Sequence, residues 1–152
     1  TALIGFGLVA KAGARLTAVE HGVIRTPAGL GTALRLVQVH EQVKELLERY
    51  QPDAVAVEEI FFHRNAKTFS AVSQARGALI LTVAQYGIQV FEYTPLQVKQ
   101  AVVGYGRAEK EQVQKMVKAI LKMDEIARPD DAADALAIAI CHIHSYRGGD
   151  TP

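Results

Sequence analysis

The chain has 152 residues, of which 49% are hydrophobic and 22% charged, and its formal net charge at pH 7 is +1. This length suits one domain with a real core, so we expect residues 1–152 to form a single domain; the composition excludes disorder, collagen and a disulfide scaffold. The single cysteine, Cys141, lies in an apolar helical run, which indicates a packing role in a reducing compartment. No apolar run is long enough to span a membrane and no signal peptide is recognisable, so we expect a cytoplasmic protein.

The first half of the chain begins with two runs, 4–13 and 14–26, that predict the strands of a hairpin. From about Ala33 to Tyr50, apolar residues recur at helical spacing with charged residues largely on other faces, which predicts an amphipathic helix. The run DAVAVEEI, residues 53–60, is short, rich in β-branched residues and bounded by turn residues, as in a buried strand. A second helix is predicted from about Asn65 to Tyr86.

The run QVFEYT, residues 89–94, predicts a further strand that leads directly into a helix. Thr94 can act as the N-cap, Pro95 suits the first helical position, and Gln97 can complete a capping box. Gly104 is expected to end this helix.

Two more helices are predicted near 108–122 and 129–146. The chain therefore starts with strands and continues with helices that alternate with strands. This order predicts an α/β layer structure, in which a mixed central sheet is flanked by helices.

The last predicted helix opens with the acidic stretch RPDDAADALAIAI, residues 128–140. Asp131 and Asp134 are three residues apart and should lie on one helix face, while Asp130 points elsewhere. Favourable interaction with the helix dipole explains Asp130 but explains Asp134 poorly, because its neighbours are expected to be buried. Two like charges on a packed face are costly unless a cation neutralises them, and carboxylate oxygens suit Mg²⁺ or Mn²⁺.

A second acidic feature, Glu58 and Glu59, ends the strand predicted at 53–60. Alternation places the two side chains on opposite faces, and one of them is expected at the carboxyl end of the strand, where α/β sheets place their sites. A strand that simply runs out into solvent is the alternative. A carboxylate at a strand end together with a carboxylate pair on a late helix is typical of a divalent-metal nuclease centre, which can hold two ions about 4 Å apart.

Four segments carry a specific resemblance: AVEEIFF, QARGA, VFEYTPLQVKQAVVGYGRAEKEQVQKMV and DDAADALAIAICH. They resemble the RuvC family of bacterial Holliday junction resolvases, in the ribonuclease H-like superfamily, and the resemblance covers nearly the whole chain. It implies a ribonuclease H-like nuclease domain that nicks two strands of a four-way DNA junction symmetrically, with Mg²⁺ or Mn²⁺ and two ions per site. It also implies a homodimer and partnership with the RuvA–RuvB branch-migration complex.

The resemblance assigns three of the four metal-site positions of the family to Glu58, Asp131 and Asp134, as catalytic residues and metal ligands. The fourth acid of the family lies in a Gly-Ile-Asp-Pro-Gly-like stretch, and the segment TALIGFGLV resembles the residues that come immediately after that stretch. We therefore expect the first strand and its Asp immediately upstream of Thr1. The 152 residues alone should not form a competent nuclease, which leaves a catalytically inactive junction-binding scaffold as the alternative.

A local excess of basic residues is hidden by the neutral total charge. Between Lys99 and Lys122 there are six basic residues and two acidic ones. The resemblance places Lys99 and Lys110 at positions that contact the DNA backbone, and Lys110 also lies in the first turn of a helix, where a cation opposes the dipole. A solvated helix face is the alternative for the later lysines. The DNA-binding candidates of this segment are Lys99, Arg107, Lys110, Lys115 and Lys118.

Two aromatic residues, Phe61 and Phe62, follow the acidic strand in the stretch EEIFFHRN. Adjacent aromatics in a loop can be anchors into the core, but the resemblance implies that Phe61 stacks against unpaired bases at the junction centre, with Phe62 as its packing partner. Arg64 of the same loop is a further DNA-binding candidate. His63 is expected to be structural rather than a metal ligand.

Two other features have structural interpretations. His142 and His144 are two residues apart on a helix and point in different directions, so we expect hydrogen-bonded structural histidines rather than metal ligands.

The helix predicted at 65–86 is apolar on two faces. A sheet can cover one face, and the resemblance assigns the other to a twofold dimer partner.

Overall fold

The computed structural model describes residues 2–59 and 66–146. Every predicted strand and helix is present, and the predicted α/β class is confirmed. In the described part of the chain the strands form two two-stranded sheets, β1 with β2 and β3 with β4. The elements are β1 (Ala2–Ala12), β2 (Arg15–Thr26), α1 (Thr32–Tyr50), β3 (Ala54–Glu58), α2 (Ala66–Gln85), β4 (Gln89–Tyr93), α3 (Pro95–Val102), α4 (Lys110–Ile120) and α5 (Asp130–Ser145).

Two compact units make up the described structure. Unit 1 comprises the described parts of 1–3, 24–55 and 60–90, and unit 2 those of 4–23, 56–59 and 91–152. Unit 1 contains α1 and α2, and unit 2 contains α3, α4 and α5. The expectation of a single domain stays a prediction.

Unit 1 is built on the packing of α1 against α2. The helices are also joined by a hydrogen bond between His40 Nδ1 and Thr82 Oγ1, 2.8 Å apart. Because the Thr82 hydroxyl donates its proton to the Ala78 carbonyl, its oxygen accepts from His40, which must carry a proton on Nδ1. The buried apolar residues of unit 1 are Ile24, Val39, Val43, Leu47 and Val83. No helix within the two described ranges is long and apolar enough to cross a membrane.

Unit 2 has its core around α5, against which both α3 and α4 pack. The α5 residues Leu136, Ile140 and Cys141 are fully buried, which confirms the packing role predicted for the cysteine. The core cluster continues with Leu16, Val98, Val102, Ala108, Val113, Val117, Leu121, Ala127, Ala133 and Ala137.

The start of α3 is formed as the sequence predicts. The Gln97 N–H donates to Thr94 Oγ1 at 3.0 Å, and the Thr94 N–H donates to Gln97 Oε1 at 2.8 Å, with Pro95 at the first position. This capping box fixes the direction in which α3 leaves β4. The helix ends before Gly104, whose φ of 101° suits glycine.

Two glycines of β1 allow this strand to lie directly on α5. A side chain at Gly5 would collide with the backbone carbonyl of Asp131, and a Cβ atom at Gly7 would lie 2.7 Å from Leu136 Cδ2. Neither residue requires a glycine-specific φ. The absence of a side chain is therefore what permits the close approach.

We expect Gly5→Ala to lower the free energy of unfolding by about 1–3 kcal/mol, because the added methyl group meets backbone atoms that cannot rotate away. Urea denaturation of the parent and the variant measures the change. Gly31→Ala is the matched control, since Gly31 has a φ of −63° and nothing within reach of an added methyl group. Equal losses of stability in the two variants would contradict the packing explanation.

Candidate functional site

Three of the predicted acidic residues lie at the ends of elements in unit 2. Glu58 is the last residue of β3 and is exposed, while Asp131 and Asp134 occupy the first turns of α5. Asp131 is exposed and Asp134 is partly buried. The neighbouring Glu59 N–H donates to the Tyr93 carbonyl at 2.8 Å, so β3 and β4 end side by side.

The charge of Asp134 acts on the carboxyl group of Glu58. The pKa of Glu58 is raised above its usual range, first because protein atoms displace water from the carboxyl, and second because Asp134 is close enough to repel it. Lys99 on α3 attracts the Glu58 carboxylate and lowers its pKa by a smaller amount. The pKa of Asp134 is likewise raised by burial and by repulsion from Asp131 and Asp130, against the attraction of Lys110. The structure thus brings negative charge together from β3 and α5.

The carboxylates do not form a closed cage. Among residues 2–59 and 66–146, no group of three or more His, Cys, Asp or Glu side chains is arranged so that it could hold a metal ion. The donor set is nevertheless of the right kind, because carboxylate oxygens are the preferred ligands of Mg²⁺. Repulsion between carboxylates adds to the effect of burial on the pKa values of Glu58 and Asp134, and a bound cation relieves such repulsion.

Asp130 has a different environment from the one that its sequence position suggested. Its carboxylate accepts a hydrogen bond from Gln114 Nε2 at 3.0 Å and lies 3.3 Å from Lys110 Nζ and 3.5 Å from Arg128 Nη1. These contacts hold its pKa below the usual range, with the Lys110 hydrogen bond as the largest cause. Asp130 is in the first turn of α5, but its main partners are on α4 and in the segment before α5.

Lys110 is the first residue of α4, where the helix dipole disfavours a cation. Sequence reasoning therefore assigned it no part in local stability. In the structure Lys110 pairs with Asp130, and its pKa is raised first by Asp134 and then by the Asp130 hydrogen bond. The pair is exposed and contributes little to stability, but it places the ammonium group beside the acidic start of α5.

Of the remaining basic candidates, Lys115 and Lys118 border shallow depressions of unit 2. One, of about 470 Å³, is bordered by Lys115, Lys118 and Lys122, with apolar atoms of Met123 and Ile126. The other, of about 410 Å³, includes Lys110, Lys115 and Arg128. Lys99 is partly buried on α3, and Arg107 is exposed between α3 and α4. The local excess of positive charge is therefore carried by one helix and its flanks.

Both described histidines of α5 have hydrogen-bond partners, as predicted. His142 Nδ1 lies 2.7 Å from the Tyr93 hydroxyl, and His144 Nδ1 lies 3.3 Å from the Ala101 carbonyl. The predictions for Phe61, Phe62, His63 and Arg64 fall outside the described residues.

Sequence reasoning missed Gln114, Arg128 and Tyr93 as neighbours of the site. Gln114 is a buried polar residue on the inner face of an amphipathic helix, and that departure from the pattern is the one available signal. Tyr93 carries no such signal, because its partner His142 is distant in sequence, and Arg128 is an exposed charge of an ordinary kind, two residues before its partner Asp130.

Comparison with known proteins gives a consistent result. A family model described as "Crossover junction endodeoxyribonuclease RuvC" matches residues 1–142. The RuvC of Syntrophomonas wolfei is 58% identical over 97% of this chain and 86% of its own length. The RuvC of Rubrobacter xylanophilus is 55% identical over 97% of this chain and 82% of its own length.

Two solved structures are also similar. The Thermus thermophilus RuvC structure has a TM-score of 0.85 and 39% identity, covering 93% of this chain and 87% of the other. The same protein in complex with a Holliday junction substrate has a TM-score of 0.87 and 40% identity, covering 92% and 86%.

The likeness to these structures thus places the chain in the ribonuclease H-like class of folds. Nucleases of this fold generally depend on divalent metal ions. The chain belongs to the RuvC family of crossover junction endodeoxyribonucleases.

Proposed function

We propose that this protein resolves four-way DNA junctions by nicking two strands symmetrically, in DNA recombination and repair in the cytoplasm. One observation carries the proposal, namely the likeness over most of the chain to a solved RuvC that is in complex with a Holliday junction substrate. Membership in a family of endonucleases supports this activity over the inactive scaffold.

The test is incubation of the full-length protein with a synthetic four-way junction, labelled on one strand at a time, in Mg²⁺ or Mn²⁺. Nicks at symmetric positions on two opposite strands are expected. A linear duplex of the same sequence and a reaction with chelator are the controls. A junction that shifts on a gel but is not nicked with either metal would support the scaffold instead.

In the proposed mechanism, Glu58, Asp131 and Asp134 would be the residues of this chain that hold two divalent ions. The repulsion from neighbouring carboxylates that, after burial, raises the pKa values of Glu58 and Asp134 supports this assignment, because a bound cation would relieve it. When bound, the ions would activate water and stabilise the leaving oxygen of a phosphodiester. The fold of this chain would orient the carboxylate ligands. Glu58 lies at the end of β3, and the close packing of Gly5 against Asp131 fixes the position of the start of α5.

We propose that basic residues of unit 2 bind the DNA backbone around these acids. Lys99 is close enough to Glu58 to lower its pKa, and Lys110 interacts with Asp134 in the same way, so both ammonium groups border the proposed metal site. Each can neutralise a phosphate there. Arg107, Lys115 and Lys118 would extend the contact along the backbone. Base stacking by Phe61 with Phe62, and a contact from Arg64, rest on the family resemblance.

We expect Lys110→Ala to weaken junction affinity by roughly tenfold, the loss of one charge-assisted contact. The melting temperature should change little, because the lost ion pair with Asp130 is exposed and the lost cation opposed the helix dipole. Gel-shift titration and thermal unfolding measure the two effects. Lys11→Ala, which removes an exposed charge from β1, is the control. A large fall in melting temperature would show that Lys110 is structural.

We further propose that the protein is a single ribonuclease H-like domain that acts as a homodimer with the RuvA–RuvB complex. Two exposed apolar side chains that lie three positions apart on α2, Phe69 and Val72, support a dimer surface. Association would remove these side chains from water. Light scattering of the parent and of Val72→Glu tests this, with a dimer expected only for the parent.

A further inference from the structure

A hydrogen bond between β4 and α5 joins two elements that flank the proposed metal site. The Tyr93 hydroxyl lies 2.7 Å from His142 Nδ1. The His142 ring packs in a cluster with two aromatic rings, with centroids 4.4 Å away for Phe91 and 5.2 Å away for Tyr146, and these two rings also contact each other. The imidazole therefore has a fixed orientation, and so does the hydroxyl that it binds.

The backbone of Tyr93 connects to the acidic strand. Its carbonyl accepts a hydrogen bond from the Glu59 N–H at 2.8 Å, next to Glu58. Tyr93 also directly precedes Thr94, the N-cap of α3, which carries Lys99. One residue thus contacts the end of β3, begins the turn into α3, and binds α5 through its side chain.

The hydrogen bond joins two groups that are neutral near pH 7. Burial raises the pKa of the Tyr93 phenol, with a smaller contribution from Cys141, and burial lowers the pKa of His142. Neither group supplies charge to the carboxylates. The bond can instead fix the distance and relative orientation of β4 and α5, because a hydroxyl group and an imidazole nitrogen attract each other only at short distance and in suitable alignment.

We propose that Tyr93 is a positioning residue of the nuclease site, which through His142 holds the acidic helix α5 at a fixed distance from Glu58. This inference rests on the proposed function. Tyr93 does not have to touch DNA or metal in this role. Its action resembles that of residues that orient metal ligands from outside the coordination shell, whose loss costs about 10- to 100-fold in metal affinity or activity.

Tyr93→Phe removes the hydroxyl and keeps the ring, and the matched control is Tyr86→Phe. Tyr86 likewise makes one hydroxyl hydrogen bond, to Glu48 Oε2 at 2.8 Å, but it lies in unit 1. We expect Tyr93→Phe to raise the Mg²⁺ concentration for half-maximal nicking, and the dissociation constant for Mn²⁺ measured directly by electron paramagnetic resonance, by about 10-fold. Junction affinity without metal should be unchanged, and Tyr86→Phe should behave as the parent.

A second variant keeps the test decisive if Tyr93→Phe is poorly folded. His142→Phe preserves the aromatic stack and removes Nδ1, so it should produce the same loss of Mn²⁺ affinity, and the double variant should be no worse than either single one. The proposal would be overturned if Tyr93→Phe bound Mn²⁺ as tightly as Tyr86→Phe does. It would also be overturned if the losses of Mn²⁺ affinity in the two single variants added up in the double variant. If the parent binds Mn²⁺ but nicks no junction, the proposed function fails, while the Mn²⁺ titrations still decide the role of Tyr93.

Discussion

Asp134→Asn is expected to reduce junction nicking by more than about 100-fold, since the loss of a direct ligand should cost more than the loss of a residue that only orients one. The amide keeps the shape of the side chain but lacks the charge that we propose binds the metal ion. Junction binding without metal should remain close to that of the parent. Single-turnover nicking and gel-shift titration measure the two properties.

The same variant should be more stable than the parent at pH 7 when no metal is present. The pKa of Asp134 is raised in the folded protein, so the native state retains a proton that the unfolded chain has already lost. The contribution of the Asp134 carboxyl group to the free energy of unfolding is therefore fully present below the ordinary pKa of about 3.9. It is lost as the pH rises through the raised pKa of the folded protein. Asparagine cannot ionise, so the variant avoids this loss of stability at pH 7. Thermal unfolding should show a higher melting temperature at pH 7 and a smaller difference near pH 4.

Asp124→Asn is the control for both measurements, because it makes the same chemical change at an exposed position between α4 and α5. It should nick at the parental rate. Asp134→Asn activity within a few-fold of the parent would exclude Asp134 as a ligand. A melting temperature below that of the parent would show that the Asp134 charge is favourable, contrary to the direction of its pKa shift.

Leu136→Ala is expected to lower the free energy of unfolding by about 3–4 kcal/mol, within the range for large cavities in a core. Leu136 is completely buried on α5 and faces Gly7 of β1, which has no side chain that could move to fill the space. Urea denaturation measures the loss. Leu34→Ala on α1 is the control, since Leu34 is 59% exposed and should cost less than about 0.5 kcal/mol. Similar losses in both variants would contradict the assignment of Leu136 to the core.

Local sequence signals predicted the elements well, because their causes are local. The α3 capping box requires only Thr94, Pro95 and Gln97, which are within four positions of one another. The acidic pair of α5 follows from helix periodicity in the same way. Glu58 at the end of β3 follows from the position of a charge after an apolar run.

The site environment depended on contacts between residues far apart in the chain. Asp130 was assigned to the helix dipole, whereas its partners Lys110 and Gln114 are 20 and 16 positions away. Gly5 could be recognised as part of a strand, but not as the place where Asp131 comes closest to that strand. Tertiary packing decides such contacts, and a single sequence has no periodic signal for them.

The ion pair between Lys110 and Asp130 has a consequence for how DNA binding should respond to salt. A lysine without an internal partner releases counterions from DNA when it neutralises a phosphate, and this makes affinity fall steeply with salt. If a DNA phosphate replaced Asp130 as the partner of Lys110, as proposed above, the unpaired Asp130 carboxylate would attract a cation from solution, which would offset part of that release. Lys110 would thus add affinity with a weak salt dependence, whereas the lysines farther along α4 would account for most of the slope.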